Sequence, residues 1–107
     1  MLYEHRVYEA MPGKLPALNN RFRTVTLGFF EKHGIKVIGF WEELVGTSNR
    51  LNYIIAFDDM AHREQAWNAF QSDPEWAAAR AGTEKEGPLV ARIHNTFWRP
   101  TDYSPLK

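Results

Sequence analysis

Residues Leu2–Ala10 read LYEHRVYEA, and this stretch decides the fold. Large and polar side chains alternate along it, and tyrosine and valine favour extended backbone. We interpret it as the central strand of the domain, on which the helices and the last strand pack. Successive side chains of a strand point to opposite faces. We therefore expect one set to face the helices, Tyr3, His5 and Val7, and another to face away from them, Leu2, Glu4, Arg6 and Tyr8.

The rest of the chain predicts three helices and three further strands. Apolar residues at spacings of three and four indicate an amphipathic helix that ends at Gly34. The turn 46–49 joins two strands in a hairpin, and SDPEW at 72–76 is a helix start with Asp73 as its cap. The predicted elements are a helix from Leu15 to His33, strands Lys36–Leu44 and Leu51–Phe57, a helix capped by Asp58 or Asp59 that runs to Phe70, a helix from Pro74 to about Thr83, and a strand Val90–Trp98.

This order of elements predicts an α+β fold of the ferredoxin-like split β-α-β type. The four strands would form an antiparallel sheet in the spatial order 4-1-3-2, with the helices on one face. The chain has 107 residues, of which 44% are hydrophobic, and a chain of that length and composition forms one globular domain. We therefore expect a single domain over residues 1–107.

Charge and composition exclude several classes of function. Thirteen basic residues balance thirteen acidic ones, so the chain lacks the basic surface that nucleic-acid binding needs. No apolar run reaches the about 18 residues of a membrane span. There is no cysteine, and the four histidines lack the spacing of metal ligands. We expect a cytoplasmic protein with no cofactor, no metal, and no nucleic-acid or membrane partner.

The sheet face that the helices leave uncovered must meet solvent or a partner. On the last strand, the set of Ile93, Asn95 and Phe97 would face the helices, while the opposite set mixes tryptophan, histidine and arginine. Most oligomers are two-fold homodimers, so we expect two copies to pack sheet to sheet as a dimeric α/β barrel. The predicted interface residues are Glu4, Arg6, Tyr8, Arg92, His94 and Trp98.

Several stretches of the chain resemble the NIPSNAP family of dimeric α/β-barrel proteins. They are LYEHRVYEAMPGKLP (2–16), GFWEELVG (39–46), FDDMAHREQAW (57–67), SDPEW (72–76) and FWRPTDYSPLK (97–107). The resemblance runs from Leu2 to Leu106, and the short chain is most similar to bacterial members. It implies a ferredoxin-like protomer and a homodimer whose two sheets face each other. It implies no particular reaction.

His5 is the candidate residue of most interest, because it lies on the central strand and on the face that we assign to the helices. A histidine in a cavity there could act as a general base near neutral pH, or it could be a core histidine bonded to Tyr53 or to a backbone carbonyl. An apolar pocket with a few convergent polar groups is the usual design of a small-molecule site, although such aromatic residues also form ordinary core. His5 is the predicted catalytic residue, and the predicted ligand-binding residues are Tyr3, Trp41, Tyr53, Trp67 and Asn95.

Three functions from different classes remain open at this point. The preferred one is a NIPSNAP-like homodimer that binds a small apolar or aromatic molecule between sheet and helices. The second is a cofactor-independent monooxygenase, isomerase or cyclase that uses His5, an idea that rests on analogy of fold. The third is a protein–protein interaction module without a pocket. An open cavity at His5 would favour the first two, and a packed one the third.

Overall fold

The computed structural model describes the whole chain, Met1–Lys107, and its four strands form one antiparallel sheet. The order across the sheet is β2-β3-β1-β4, which confirms the predicted ferredoxin-like topology with the first strand in the interior. The turn between the second and third strands begins earlier than predicted, because the second strand ends at Glu42 and the Glu43 side chain accepts a hydrogen bond from the backbone N–H of Thr47. The strands are β1 (Leu2–Ala10), β2 (Lys36–Glu42), β3 (Arg50–Phe57) and β4 (Val90–Trp98).

The helices lie in two groups, one between β1 and β2 and one between β3 and β4. The first group is continuous, but a π turn interrupts what the sequence predicted as one regular helix. No helix is long and apolar enough to cross a membrane. The first group consists of α1 (Leu15–Arg21), the π turn (Phe22–Thr26) and α2 (Leu27–Lys32), and the second of α3 (Met60–Gln71) and α4 (Pro74–Thr83).

The predicted helix caps on the second group are confirmed. Asp59 accepts a hydrogen bond from the backbone N–H of His62 and caps α3, and Asp73 accepts one from Glu75 and caps α4. Asp73 Oδ2 also lies 2.8 Å from both Lys32 Nζ and His33 Nε2 at the end of α2. The hydrogen bond from Lys32, followed by that from His33, lowers the pKa of Asp73 well below its usual value. One carboxylate therefore caps α4 and ties it to α2.

Aromatic side chains fill most of the core between the sheet and the helices. Phe30 of α2 is central, with ring-centroid distances of 5.2 Å to Phe70, 6.1 Å to Tyr53 and 6.1 Å to Trp67. Tilted and edge-on pairs of this kind add to the energy of apolar burial. The largest fully buried side chains are Tyr53, Phe30, Phe57, Phe70, Leu18, Ile55 and Glu4.

Strand β1 presents its two faces the opposite way from the prediction. Glu4 and Arg6 lie under the helices and contact Arg63 and Tyr53, while His5 stacks on Trp98 on the other side of the sheet. The assignment of Tyr3, His5 and Val7 to the helix side is therefore wrong. Both faces of β1 mix aromatic and polar residues, so the alternation shows two faces without showing which one is inside. Charge pairing makes the more charged face the buried one.

The same contacts correct the predicted dimer interface. Glu4, Arg6 and Tyr8 are buried beneath the helices, so they are not part of the uncovered sheet face on which a second copy would pack. The faces of β4 agree with the prediction, since Asn95 bonds Glu4 on the helix side and Trp98 contacts His5 on the open side. Arg92 and His94 share the open side with Trp98, because they lie at two-residue spacing along β4.

We predict that Phe30→Ala lowers the free energy of unfolding by about 3–5 kcal/mol, because it leaves a cavity among packed rings. Urea denaturation at pH 7 measures the change. Leu44→Ala is the control, since that side chain is 99% exposed and an exposed substitution changes stability by less than about 0.5 kcal/mol. Equal effects of the two substitutions would contradict the central position given to Phe30.

Candidate functional site

A buried carboxylate organises the helix side of the sheet. Glu4 is 0% exposed, and it accepts four hydrogen bonds, one from Arg6, two from Arg63 of α3 and one from Asn95 of β4, at 2.8–3.1 Å. One carboxylate thus joins three elements of the fold. Glu4 faces two guanidinium groups, so the cluster has one more positive than negative charge. The exposed Glu64 partly balances this excess, because it pairs with Arg63.

Arg6 is held in a fixed orientation by its neighbours. Its Nε donates to the Tyr53 hydroxyl at 2.8 Å, and its guanidinium lies 4.3 Å from the centre of the Trp67 ring. The Tyr53 hydroxyl is in turn 2.9 Å from that of Tyr8. Tyr53, Trp67 and Asn95, three of the predicted ligand-binding residues, are therefore brought together, but around Arg6 and Glu4 rather than around His5.

The pKa values of this cluster keep its charges in place. Burial would raise the pKa of Glu4, but the hydrogen bonds from Arg63 and the charge and hydrogen bond of Arg6 outweigh it, so the net pKa is lowered. Burial, followed by the neighbouring Tyr8, raises the pKa of Tyr53 well above its usual value. At neutral pH the cluster therefore contains an ionised carboxylate and a protonated phenol, and neither group is ready to accept a proton.

Beside this cluster lies a cavity of about 80 Å³ between the sheet and the helices. Aromatic rings form most of its apolar wall, and its charged members are all arginines. The more exposed members, Gln71, Arg80 and Ile93, mark its mouth at the edge of the sheet. The lining residues are Arg6, Tyr8, Arg21, Phe22, Thr26, Phe30, Phe70, Gln71, Trp76, Arg80, Val90 and Ile93.

The π turn shapes one wall of this cavity. Both of its buried residues, Phe22 and Thr26, are lining residues, and Arg21 immediately precedes it. A single turn of π-helix widens the helix by one residue, and such turns occur frequently at functional sites. Four residues of the first helical stretch line the cavity, and the π turn lies in the middle of them: Arg21, Phe22, Thr26 and Phe30.

Arg21 is an incompletely paired cation in that wall. Its side chain is 6% exposed, and its nearest carboxylate oxygen, on Glu84, is 3.7 Å away. Nη1 donates to Thr83 Oγ1 at 3.3 Å, whereas Nε is sealed from solvent and has no hydrogen-bond partner. Burial lowers the pKa of Arg21, the Glu84 carboxylate opposes this, and Arg80 lowers the pKa further.

The sequence analysis missed Arg21, although the chain contains a signal for it. The position lies three residues after Leu18 and four before Val25, both members of the apolar stripe that predicted the helix. An arginine within such a stripe must be buried against the sheet, where it needs a partner. The opposite charges of Glu4 and Arg6, two apart on one strand, are a similar signal for a pair that shares a face.

The remaining predicted site residues lie on the open face of the sheet. His5 Nε2 is 3.1 Å from Asn52 Oδ1, and Asn52 Nδ2 donates to Glu43 at 3.2 Å. Trp41 is opposite Asn52 in the β2–β3 ladder and is 51% exposed, so its predicted place between sheet and helices is wrong. Tyr3 is buried on this face beside the C-terminal residues Pro100 to Leu106. The cavity and His5 are therefore on opposite sides of the sheet.

Comparison with known proteins assigns the chain to a family. The NIPSNAP sequence profile matches residues 3–105. The chain belongs to the NIPSNAP family. None of the curated proteins is significantly similar to it.

Solved structures agree with this assignment. An uncharacterised NIPSNAP domain protein from Burkholderia xenovorans has a TM-score of 0.86 at 27% identity, covering 98% of this chain and 99% of that one. A NIPSNAP family protein of unknown function from Agrobacterium tumefaciens has a TM-score of 0.87 at 23% identity, covering 100% and 94%. A Deinococcus radiodurans protein described provisionally as an antibiotic biosynthesis monooxygenase has a TM-score of 0.65 at 14% identity, covering 100% and 99%. The last two show a shared fold only.

We predict that Glu4→Gln destabilises this NIPSNAP protein by about 3–5 kcal/mol at pH 7, since it removes the carboxylate that pairs with the buried Arg6 and leaves Arg63 with only the exposed Glu64. The folded-state pKa of Glu4 lies below its value in the unfolded chain. Its contribution is therefore fully present above pH about 4.5 and is lost as the pH falls through the folded-state pKa. The difference in unfolding free energy between wild type and Glu4→Gln should shrink accordingly between pH 7 and pH 3.

Urea denaturation at several pH values measures this difference. Glu64→Gln is the matched control, because Glu64 pairs with the same Arg63 but its side chain is 55% exposed, and exposed pairs contribute about 0–1 kcal/mol. A Glu4→Gln variant that is as stable as Glu64→Gln at pH 7, or a difference that grows towards acid, would refute the role of the buried carboxylate.

Proposed function

We propose that this NIPSNAP chain is a cytoplasmic homodimer that binds a small, partly apolar molecule in the cavity between its sheet and its helices. The observation that carries the proposal is the cavity itself. Its aromatic wall and its few convergent polar groups, Arg6, Tyr8 and Arg21, have the composition of a ligand site rather than of a packing defect.

The size of the cavity limits the ligand. An engineered protein cavity of about 150 Å³ accommodates benzene, and a water molecule takes about 30 Å³. The cavity of about 80 Å³ therefore suits a ligand of a few heavy atoms. An aromatic ring would have to extend through the mouth between Gln71, Arg80 and Ile93. The preferred ligand is consequently smaller than the aromatic molecule that the sequence analysis expected.

The open face of the sheet supports the homodimer. Trp41 is 51% and Trp98 46% exposed on it, and the polar chain His5–Asn52–Glu43 crosses it. A face that combines exposed tryptophans with ordered polar groups has the composition of a protein interface. A second copy, packed by the two-fold symmetry that most homodimers use, would cover both tryptophans.

Catalysis by His5 is the second candidate function, and one observation favours it. The amide of Asn52 donates to Glu43 through Nδ2, so its Oδ1 is an acceptor and His5 Nε2 is the donor to it. His5 Nδ1 is then the unprotonated nitrogen, as a general base requires. This base faces the open side of the sheet, so it would act between two subunits. The cavity lining contains no carboxylate or imidazole, which is why we propose binding there.

We predict that light scattering gives a solution mass of twice 12.4 kDa. Trp41→Glu should shift the mass towards that of the single chain, because it places a charge in the apolar part of the interface. Leu27→Glu, an exposed position on α2, is the control and should leave the dimer intact. A wild-type mass of one chain, or an equal loss of dimer in both variants, would exclude the sheet-to-sheet dimer.

We predict that small compounds with one polar group and a short apolar part raise the melting temperature of the wild-type protein. A ligand that binds only the folded state raises this temperature as its concentration increases. Ile93→Trp should abolish this stabilisation by covering the mouth of the cavity. Ala91→Trp is the matched control, because Ala91 is an exposed residue of the same strand, at its bulge, and does not line the cavity. Ligand stabilisation that survives in Ile93→Trp would place binding elsewhere.

A further inference from the structure

Of the charged groups that line the cavity, Arg6 has a protein counter-ion and Arg21 does not have an adequate one. Arg6 Nη1 lies 2.8 Å from the buried Glu4 carboxylate. Arg21 has Glu84 at 3.7 Å, and the same Glu84 oxygen is 3.2 Å from Arg80 Nε. One carboxylate oxygen therefore serves two guanidinium groups, and it is nearer to the more exposed one. Arg21 therefore has only a distant counter-charge, which it shares with Arg80.

A buried guanidinium with so few partners destabilises the folded protein. It has five N–H donors, and the protein supplies one hydrogen-bond acceptor, Thr83 Oγ1. A buried charge without a close partner destabilises the folded state more than a closely paired one. The cavity that Arg21 lines is otherwise rich in aromatic rings, including Phe22, Phe30 and Trp76, so a methionine at this position would lie beside an apolar wall.

We propose that the molecule bound in this cavity is a short-chain carboxylate whose negative charge pairs with Arg21. The proposal rests on the proposed function, and it adds the chemical class of the ligand. An arginine and a carboxylate form two parallel charge-assisted hydrogen bonds, which supplies the acceptors that Arg21 lacks. Tyr8 also lines this cavity. The aromatic wall receives the alkyl part.

The volume defines the length of the acid. The cavity of about 80 Å³ has about half the volume of the cavity of about 150 Å³ that accommodates benzene, so the acid must be short, with two to four carbon atoms and its chain directed to the mouth. A phosphate ester or dicarboxylate would bring a second negative charge, and the lining offers no second unpaired buried cation for it. Arg80 at the mouth is more than half exposed and attracts an anion without enclosing it.

The test compares propionate with propionamide, which has the same shape but no charge. Binding is followed by the ¹H–¹⁵N signal of the Arg21 side chain and by thermal denaturation at matched ionic strength. We expect wild type to bind propionate at least about tenfold more tightly than propionamide, as a hydrogen bond between charged groups implies. Arg21→Met should abolish the preference. It should also fold as stably as wild type or more so, because it removes the unpaired charge.

Arg23→Met is the matched control, because Arg23 belongs to the same helical stretch but is exposed and does not line the cavity. It should keep the full preference for propionate. Equal affinity of wild type for the two compounds, or a preference that persists in Arg21→Met, would overturn the carboxylate proposal and leave small-molecule binding standing. If neither compound binds wild type, and Ile93→Trp does not change the thermal stabilisation by small compounds, the binding function is overturned as well.

Discussion

The structure depends on the burial of one carboxylate, Glu4, at the centre of the sheet. Its four hydrogen bonds connect the middle strand to α3 and to the edge strand β4. A slip of β1 by one residue would turn both Glu4 and Arg6 to the open face of the sheet, place His5 or Tyr3 beneath the helices, and deprive Arg63 of its buried carboxylate. Apolar alternation alone tolerates such a slip here, since both faces of β1 contain tyrosine. The charge pair therefore fixes both the register and the inward face of the strand.

Two functional surfaces follow from this choice of face. With Glu4, Arg6 and Tyr8 turned inward, the helix side contains the charges and the cavity. The open side receives His5 together with the exposed rings of Trp41 and Trp98. The sheet thus separates the proposed ligand site from the surface proposed for a second subunit. A change on one side reaches the other only through the strands themselves, chiefly β1, which contributes residues to both.

Much of the fold could be predicted from local patterns, because these depend on short-range physics. The caps at Asp59 and Asp73, the end of the first helical stretch near Gly34 and the strand order follow from capping chemistry, turn residues and periodicity. The faces of β4 were also correct, since Ile93 and Phe97 alternate with polar residues. The face of β1 was not, because it is decided by Arg63, which is 59 residues away in sequence. The π turn leaves no comparable mark in the sequence.

The two buried arginines of the cavity wall show how stability and function separate in this chain. Arg6 is satisfied by Glu4, Tyr53 and Tyr8, so its charge belongs to the folded architecture. Arg21 follows the apolar stripe of its helix, yet it is a cation with an orphaned Nε and a distant carboxylate. Natural sequences retain destabilising groups mainly where function requires them. A buried charge with only a distant carboxylate, next to a cavity and a π turn, has the properties expected of one half of an ion pair whose other half is the proposed ligand.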